Sequence, residues 1–81
     1  MQFSYTERFL KSFAAAPSNV QRAFQKQAAL LLKNLQHPSL QAKKYDESRD
    51  IWQARVNLPW RFYFRIEGNT YLLLDIMKHP K

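Results

Sequence analysis

The sequence predicts an α+β domain: an N-terminal strand, a two-helix hairpin, then a three-stranded antiparallel meander, with the helices packed on one face of the sheet. Three observations predict it. From Ile51 to His79, apolar and polar side chains alternate with period two, as in strands buried on one face. From Val20 to Leu35, apolar residues recur at steps of four, four, three and four, the period of a helix. Pro17 and Pro38 bracket that run and bound the helix they enclose, because the residue before a proline is driven out of the helical region.

Taken in order, Gln2–Tyr5 alternates, with Phe3 and Tyr5 on one side, and reads as a single short strand. Thr6 offers an N-cap hydroxyl, and Glu7 suits the first turn of the helix that follows. Phe9, Leu10 and Phe13 form its apolar stripe, Arg8, Lys11 and Ser12 face water, and the helix stops near Ala16. Ser18 and Gln21 have the spacing of a capping box at the start of the second helix. Val20, Phe24, Ala28, Leu31 and Leu35 are its buried face, His37 caps its C-terminal end, and Pro38 ends it.

Ser39 to Asp50 is a polar link longer than the usual connection, within which Ala42–Tyr45 is expected to extend the first strand of the meander. In that strand Trp52, Ala54 and Val56 face the core and Gln53 and Arg55 face the other way. In the next, Trp60, Phe62, Phe64 and Ile66 oppose Arg61, Tyr63 and Arg65. In the last, strict alternation puts Leu72, Leu74 and Ile76 on one side and Tyr71, Leu73, Asp75, Met77 and His79 on the other. Asn57–Pro59 and Gly68-Asn69 are the turns between them.

Residues 1–81 read as one small domain, which by size buries only roughly 60–65% of its unfolded surface. An aromatic content of 15% supplies large side chains to that small core. The formal charge of +7, with pI near 10.1, calls for an anionic partner, nucleic acid, ribosome, an acidic protein or an anionic membrane, among which charge alone does not choose. The chain has no cysteine, which excludes disulfides and thiolate metal sites and points to the cytoplasm. No segment approaches the roughly 18 apolar residues of a membrane span, so no membrane role is expected. Two histidines and six scattered acids give no metal-ligand spacing, and no cofactor is expected.

YTERFLKSF at residues 5–13, IWQARV at 51–56 and WRFYFRIEGNTYLLLDIMKH at 60–79, in this order, resemble the RelE/ParE superfamily of toxins from bacterial type II toxin–antitoxin systems. The likeness runs over almost the whole chain and rests on the combination, since each motif is short. It implies a ribosome-dependent mRNA endonuclease, an mRNA interferase that inhibits translation. In that chemistry a ribose 2′-OH attacks the adjacent phosphate and a 5′-hydroxyl leaves, so a base, an acid and cations around the phosphate are needed.

By motif position the resemblance carries the phosphate-contacting role to Arg61, a second basic role to Arg55 and the corner position to His79. A guanidinium suits phosphate, and histidine is the side chain that titrates near neutral pH. The same residues also have plain readings, Arg61 as a solvated sheet cation and His79 as a tail residue. Lys43, Lys44, Tyr63 and Arg65 are candidates for RNA binding, the lysines through their field and Tyr63, with Tyr71, by stacking. Arg65 also has Glu67 as an ion-pair partner, and Asp75 is expected to pair with an arginine or to orient His79.

The expected partners are an acidic antitoxin, the ribosome and mRNA. Two further readings stay open: a ParE-like inhibitor that binds DNA gyrase, and a toxin fold kept as a non-catalytic binding module. Gln53 stands where RNA-cutting relatives often carry lysine, and the sequence ends at Lys81, before the C-terminal aromatic several of them use; both motivate the gyrase reading.

Overall fold

The computed structural model describes residues 1–79. Its elements are β1 (Gln2–Tyr5), α1 (Glu7–Ala15), α2 (Ser18–Lys33), a 3₁₀ turn (Pro38–Leu40), β2 (Lys43–Asp46), β3 (Ile51–Arg55), β4 (Trp60–Glu67) and β5 (Thr70–Lys78). They form one five-stranded sheet in the order β1-β5-β4-β3-β2, with β1 parallel to β5 and the other pairs antiparallel. The α+β architecture is the expected one, with one more strand. The link after the helices supplies β2 as a separate edge strand paired to β3, where an extension of β3 was expected.

The helices cover one face because their apolar stripes meet the apolar row of the sheet. Phe9, Val20, Phe24 and Leu31 lie against Ala54, Phe62, Phe64, Leu73 and Ile76 in a single buried cluster. Phe24 stands edge-on to Phe62, ring centres 5.1 Å apart at 90°, and Phe9 lies 5.2 Å from Phe24. That geometry suits the ring quadrupoles, so the aromatic content is spent at the helix–sheet seam.

α1 begins as expected: the Thr6 hydroxyl accepts from Phe9 N at 3.0 Å. α2 does not. Pro17 is its N-cap and no side chain caps it; Gln21 Nε2 donates to Phe13 O at 2.8 Å, closing the end of α1. Ser18 sits one residue inside the helix, so the capping box does not form. α2 ends at Lys33, earlier than Pro38, because Asn34 turns extended and its Oδ1 accepts from Gln36 N at 2.9 Å. His37 opens the 3₁₀ turn, Nδ1 accepting from Ser39 N at 3.1 Å, rather than closing α2.

The largest departure from strict alternation is in β5. Tyr63 pairs with Asp75 and Phe64 with Leu73, which leaves Leu74 as an extra residue. This bulge changes the phase of the strand. Tyr71, Leu73 and Ile76 therefore join the helix-covered face, at 5%, 0% and 1% exposure, and Asp75 and Met77 join Tyr63 and Arg61 on the open face. Tyr71 packs edge-on against Phe64, and burial pushes its phenol pKa up, so it is a core residue and no base-stacking platform. The bulge is anchored by Thr6, whose Oγ1 donates to Leu74 O at 3.0 Å while its N donates to Leu73 O at 3.0 Å. One threonine thus caps α1 and satisfies the carbonyl that the bulge frees.

The β2–β3 connection is held by Asp46, whose Oδ1 accepts from Ser48 Oγ at 2.8 Å, Ser48 N at 3.1 Å and Arg49 N at 3.2 Å. The Ser48 hydroxyl is the main reason the Asp46 carboxyl sits below its ordinary pKa of 3.8, followed by the Arg49 amide. A depressed carboxyl stabilises the fold above its unfolded pKa, and that contribution is lost as pH falls through the folded value. Ser48→Ala is expected to move the Asp46 titration back toward 3.8, read by NMR of its carboxyl carbon. No upward movement would contradict the assigned cause.

Candidate functional site

The open face of the sheet brings the basic residues together at one end. Arg55 and Arg61 are direct cross-strand partners on β3 and β4. Like charges facing each other destabilise a sheet, so the pair invites an anion between or beside them. Arg61 is held by the turn it follows: Nη1 donates to Leu58 O at 2.8 Å, Asn57 O at 2.9 Å and Trp60 O at 3.0 Å. Burial first, and the neighbouring Arg55 charge second, pull the Arg61 pKa below the ordinary guanidinium value. Arg55 Nε is buried with no hydrogen-bond partner among the described residues, an unspent donor beside the cationic cluster.

Arg55 is fixed through its backbone. Gln27 of α2, 5% exposed, donates from Nε2 to Arg55 O at 2.9 Å and to Ser39 O at 3.1 Å, and accepts from Ser39 Oγ at 3.2 Å. His79 is tied to the same corner, its N donating to Pro59 O at 2.6 Å, which places it beside the Arg61 turn rather than on a loose tail. Lys43 pairs with Gln53 across β2 and β3. Gln41, Lys43, Gln53, Arg55, Arg61 and His79 together line one hollow of about 250 Å³. No carboxylate side chain is among these lining residues, which include two arginines, one lysine and one histidine.

Of the residues singled out in the sequence, Arg55, Arg61, His79 and Lys43 converge here; the others do not. Lys44 is separated from Lys43 by the strand's alternation: it pairs with Asp50 at 2.6 Å and Glu47 at 3.6 Å, and its ammonium lies 5.3 Å from the centre of the Trp52 ring. Its pKa is raised mainly by the Asp50 hydrogen bond, which commits it to the turn. Arg65 is toward the opposite end of β4 and pairs with Glu67 at 3.6 Å. Asp75 pairs with Arg8 of α1 at 3.0 Å, not with His79. Tyr63 is on the open face but only 7% exposed, its hydroxyl accepting from Gln53 Nε2 at 3.1 Å. Beside Tyr63 on this face, Tyr45 is 61% exposed and edge-on to it with ring centres 5.0 Å apart.

Two contributors were not visible in the sequence. Gln27 falls just off the apolar stripe of α2 and looks like a solvated helix residue. Gln41 adopts a left-handed conformation, φ 45°, ψ 44°, after the 3₁₀ turn, which a glutamine side chain does nothing to announce.

Chemically the hollow suits a phosphodiester. Arginine can meet two phosphate oxygens at once, and lysine adds a point charge. No protein-family model matches the sequence, and no curated protein sequence matches it. Solved structures do match. A YoeB/ParE toxin from Agrobacterium tumefaciens superimposes with TM-score 0.82 at 10% identity, over 99% of this chain and 100% of the other. YafQ from E. coli strain BL21(DE3) gives TM-score 0.79 at 16% identity, over 95% and 91%. The intact E. coli RelBE toxin–antitoxin complex gives 0.72 at 13% identity, over 98% and 96%. The chain shares the fold of these solved structures. At these identities the likeness is one of fold, over nearly the full length of both chains.

Proposed function

We propose that this protein is the toxin of a type II toxin–antitoxin system and that it inhibits translation by cutting mRNA on the ribosome. The observation that carries this reading is the hollow at the end of the open sheet face, where Arg55, Arg61, Lys43 and His79 line a space of about 250 Å³ with no acidic side chain among the described residues that line it. An acidic protein or a nucleic acid would meet the same charge, but a histidine at the rim of a hollow lined by paired arginines supports a cleavage reaction over binding alone.

In the reaction, the ribose 2′-oxygen attacks the adjacent phosphorus and the P–O5′ bond breaks. The 2′-hydroxyl proton goes to a base, and O5′ takes a proton from an acid, leaving a 2′,3′-cyclic phosphate and a 5′-hydroxyl. Arg55 and Arg61 stabilise the charge that grows on the phosphoryl oxygens. His79 carries one of the two proton transfers, as acid or base. The cognate antitoxin of this reading is an acidic protein that covers the basic hollow, and the site of action is the cytoplasm, where ribosomes are.

The test is cleavage of an mRNA held in the A site of purified ribosomes. The protein is expected to cut it, and His79→Gln is expected to slow the cut about 10²–10⁴-fold and to remove one limb of the pH–rate profile. Intact mRNA with a folded protein, or DNA breaks that depend on gyrase in its place, would overturn the reading.

A further inference from the structure

We propose that the hollow next to the phosphate site, on the same open face, is a nucleobase subsite with Tyr45 as its stacking platform. The inference rests on the RNA-cutting reading above and adds the group that seats the nucleotide. This second hollow, about 340 Å³, has Tyr45, Tyr63 and Met77 as its apolar wall and Arg8, Arg49 and Asp75 as its charged rim. A flat ring with a polar edge needs such a wall and such a rim.

The register of the sheet links the two hollows. Arg55, Arg61 and Met77 are cross-strand neighbours in one row, and Gln53, Tyr63 and Asp75 form the row two residues along. Rows two residues apart on a strand are separated by about 6.6–6.8 Å. That is the reach from a phosphate across its ribose to the base. A phosphodiester on the arginine row therefore delivers a base to the tyrosine row.

Tyr45 is also prepared for the role. It is 61% exposed, yet its ring rests edge-on against Tyr63, which is itself held by Gln53 Nε2. The stacking face is thus fixed from below and open above. At the far wall Asp75 is oriented by Arg8 Nε at 3.0 Å and by Ile76 N at 2.8 Å, one bond to each carboxylate oxygen. Each oxygen keeps a lone pair for an N–H at the edge of a base. The rim is already paired, Arg8 with Asp75 at 3.0 Å and Arg49 with Asp46 at 3.6 Å, so it offers hydrogen bonds to a neutral base edge without demanding a counter-charge.

The test uses the purified protein and short 2′-O-methyl RNA trinucleotides, which cannot be cut, with a single abasic site moved through the three positions. Binding is followed by NMR titration. The wild-type protein is expected to bind the full trinucleotide about 5- to 150-fold more tightly than the ligand abasic at the seated position. Tyr45→Ala is expected to erase that preference, and Tyr45→Phe, which keeps the ring, to retain it. A preference that survives in Tyr45→Ala, or a wild type indifferent to the abasic site at every position, would overturn the subsite. Binding of the abasic ligand that is lost in Arg55→Ala reads the phosphate site separately. No binding of any trinucleotide by the folded protein would overturn the subsite, while cleavage of ribosome-held mRNA reads the nuclease assignment on its own.

Discussion

Arg55→Ala is expected to slow cleavage of ribosome-bound mRNA by about 10²–10³-fold, the usual consequence of removing one fixed donor from a developing oxyanion. The fold should survive. The Arg55 Nε makes no hydrogen bond among the described residues, and removing the charge relieves its repulsion with Arg61 across the β3–β4 pair. Arg61→Ala is expected to lose activity to a similar degree, with a cost in stability as well. Its Nη1 closes on three carbonyls of the β3–β4 turn. Leaving such groups unpaired costs about 1–3 kcal/mol where water cannot replace the donor, and the turn is open enough to keep the loss near the lower end. Because both arginines act on one phosphate, the double variant is expected to lose less than the product of the single losses. Single-turnover cleavage beside thermal unfolding separates the two effects. A folded Arg55→Ala variant that cuts at the wild-type rate would remove Arg55 from the site.

The fold was legible because its main signals are periodic. Steps of four and three from Val20 to Leu31 and alternation along β3 and β4 are set by burial on one face, and burial is what the structure obeys. The readings that failed are those decided by a single hydrogen bond. Ser18 could cap α2 only if it preceded the helix, but Pro17 holds that place and Gln21 serves α1. The phase of β5 could not be read past Leu74, because an inserted residue leaves no mark in the alternation of an apolar run. Half of the site follows the same division. Arg55, Arg61 and Lys43 lie on strands whose alternation places them together. Lys44 and Arg65 share their composition but are bound to Asp50 and Glu67, partners that only the folded turns reveal. Gln53 has a local task, positioning the Tyr63 ring, in the place where a further cation was looked for.

Gln27 shows how far the site depends on a residue that touches none of its ligands. Gln27→Leu, close to isosteric, is expected to destabilise the protein by about 3–5 kcal/mol, because the carbonyls of Arg55 and Ser39 and the Ser39 hydroxyl lose their partner together. Stability of a chain this size is about 4–12 kcal/mol, so at least about a quarter of the margin would go. The damage should be directional. The bonds join α2 and the 3₁₀ turn to the end of β3, so the released segment includes Arg55 and Gln41. Amide exchange is therefore expected to quicken at those positions before it quickens in β4 and β5. Gln27→Glu supplies a second reading. At neutral pH its carboxylate would face two carbonyl oxygens with no proton to offer, whereas the protonated acid can donate to one of them. Burial and those carbonyls would raise the pKa of the introduced carboxyl above its unfolded value. Stability of the variant relative to wild type is then greatest below the unfolded pKa of about 4.3 and is lost as pH rises through the folded value. Chemical denaturation of wild type and variant at pH 4 and pH 7 measures this. A Gln27→Glu penalty that does not grow with pH would mean that water, rather than the glutamine amide, satisfies the Arg55 carbonyl.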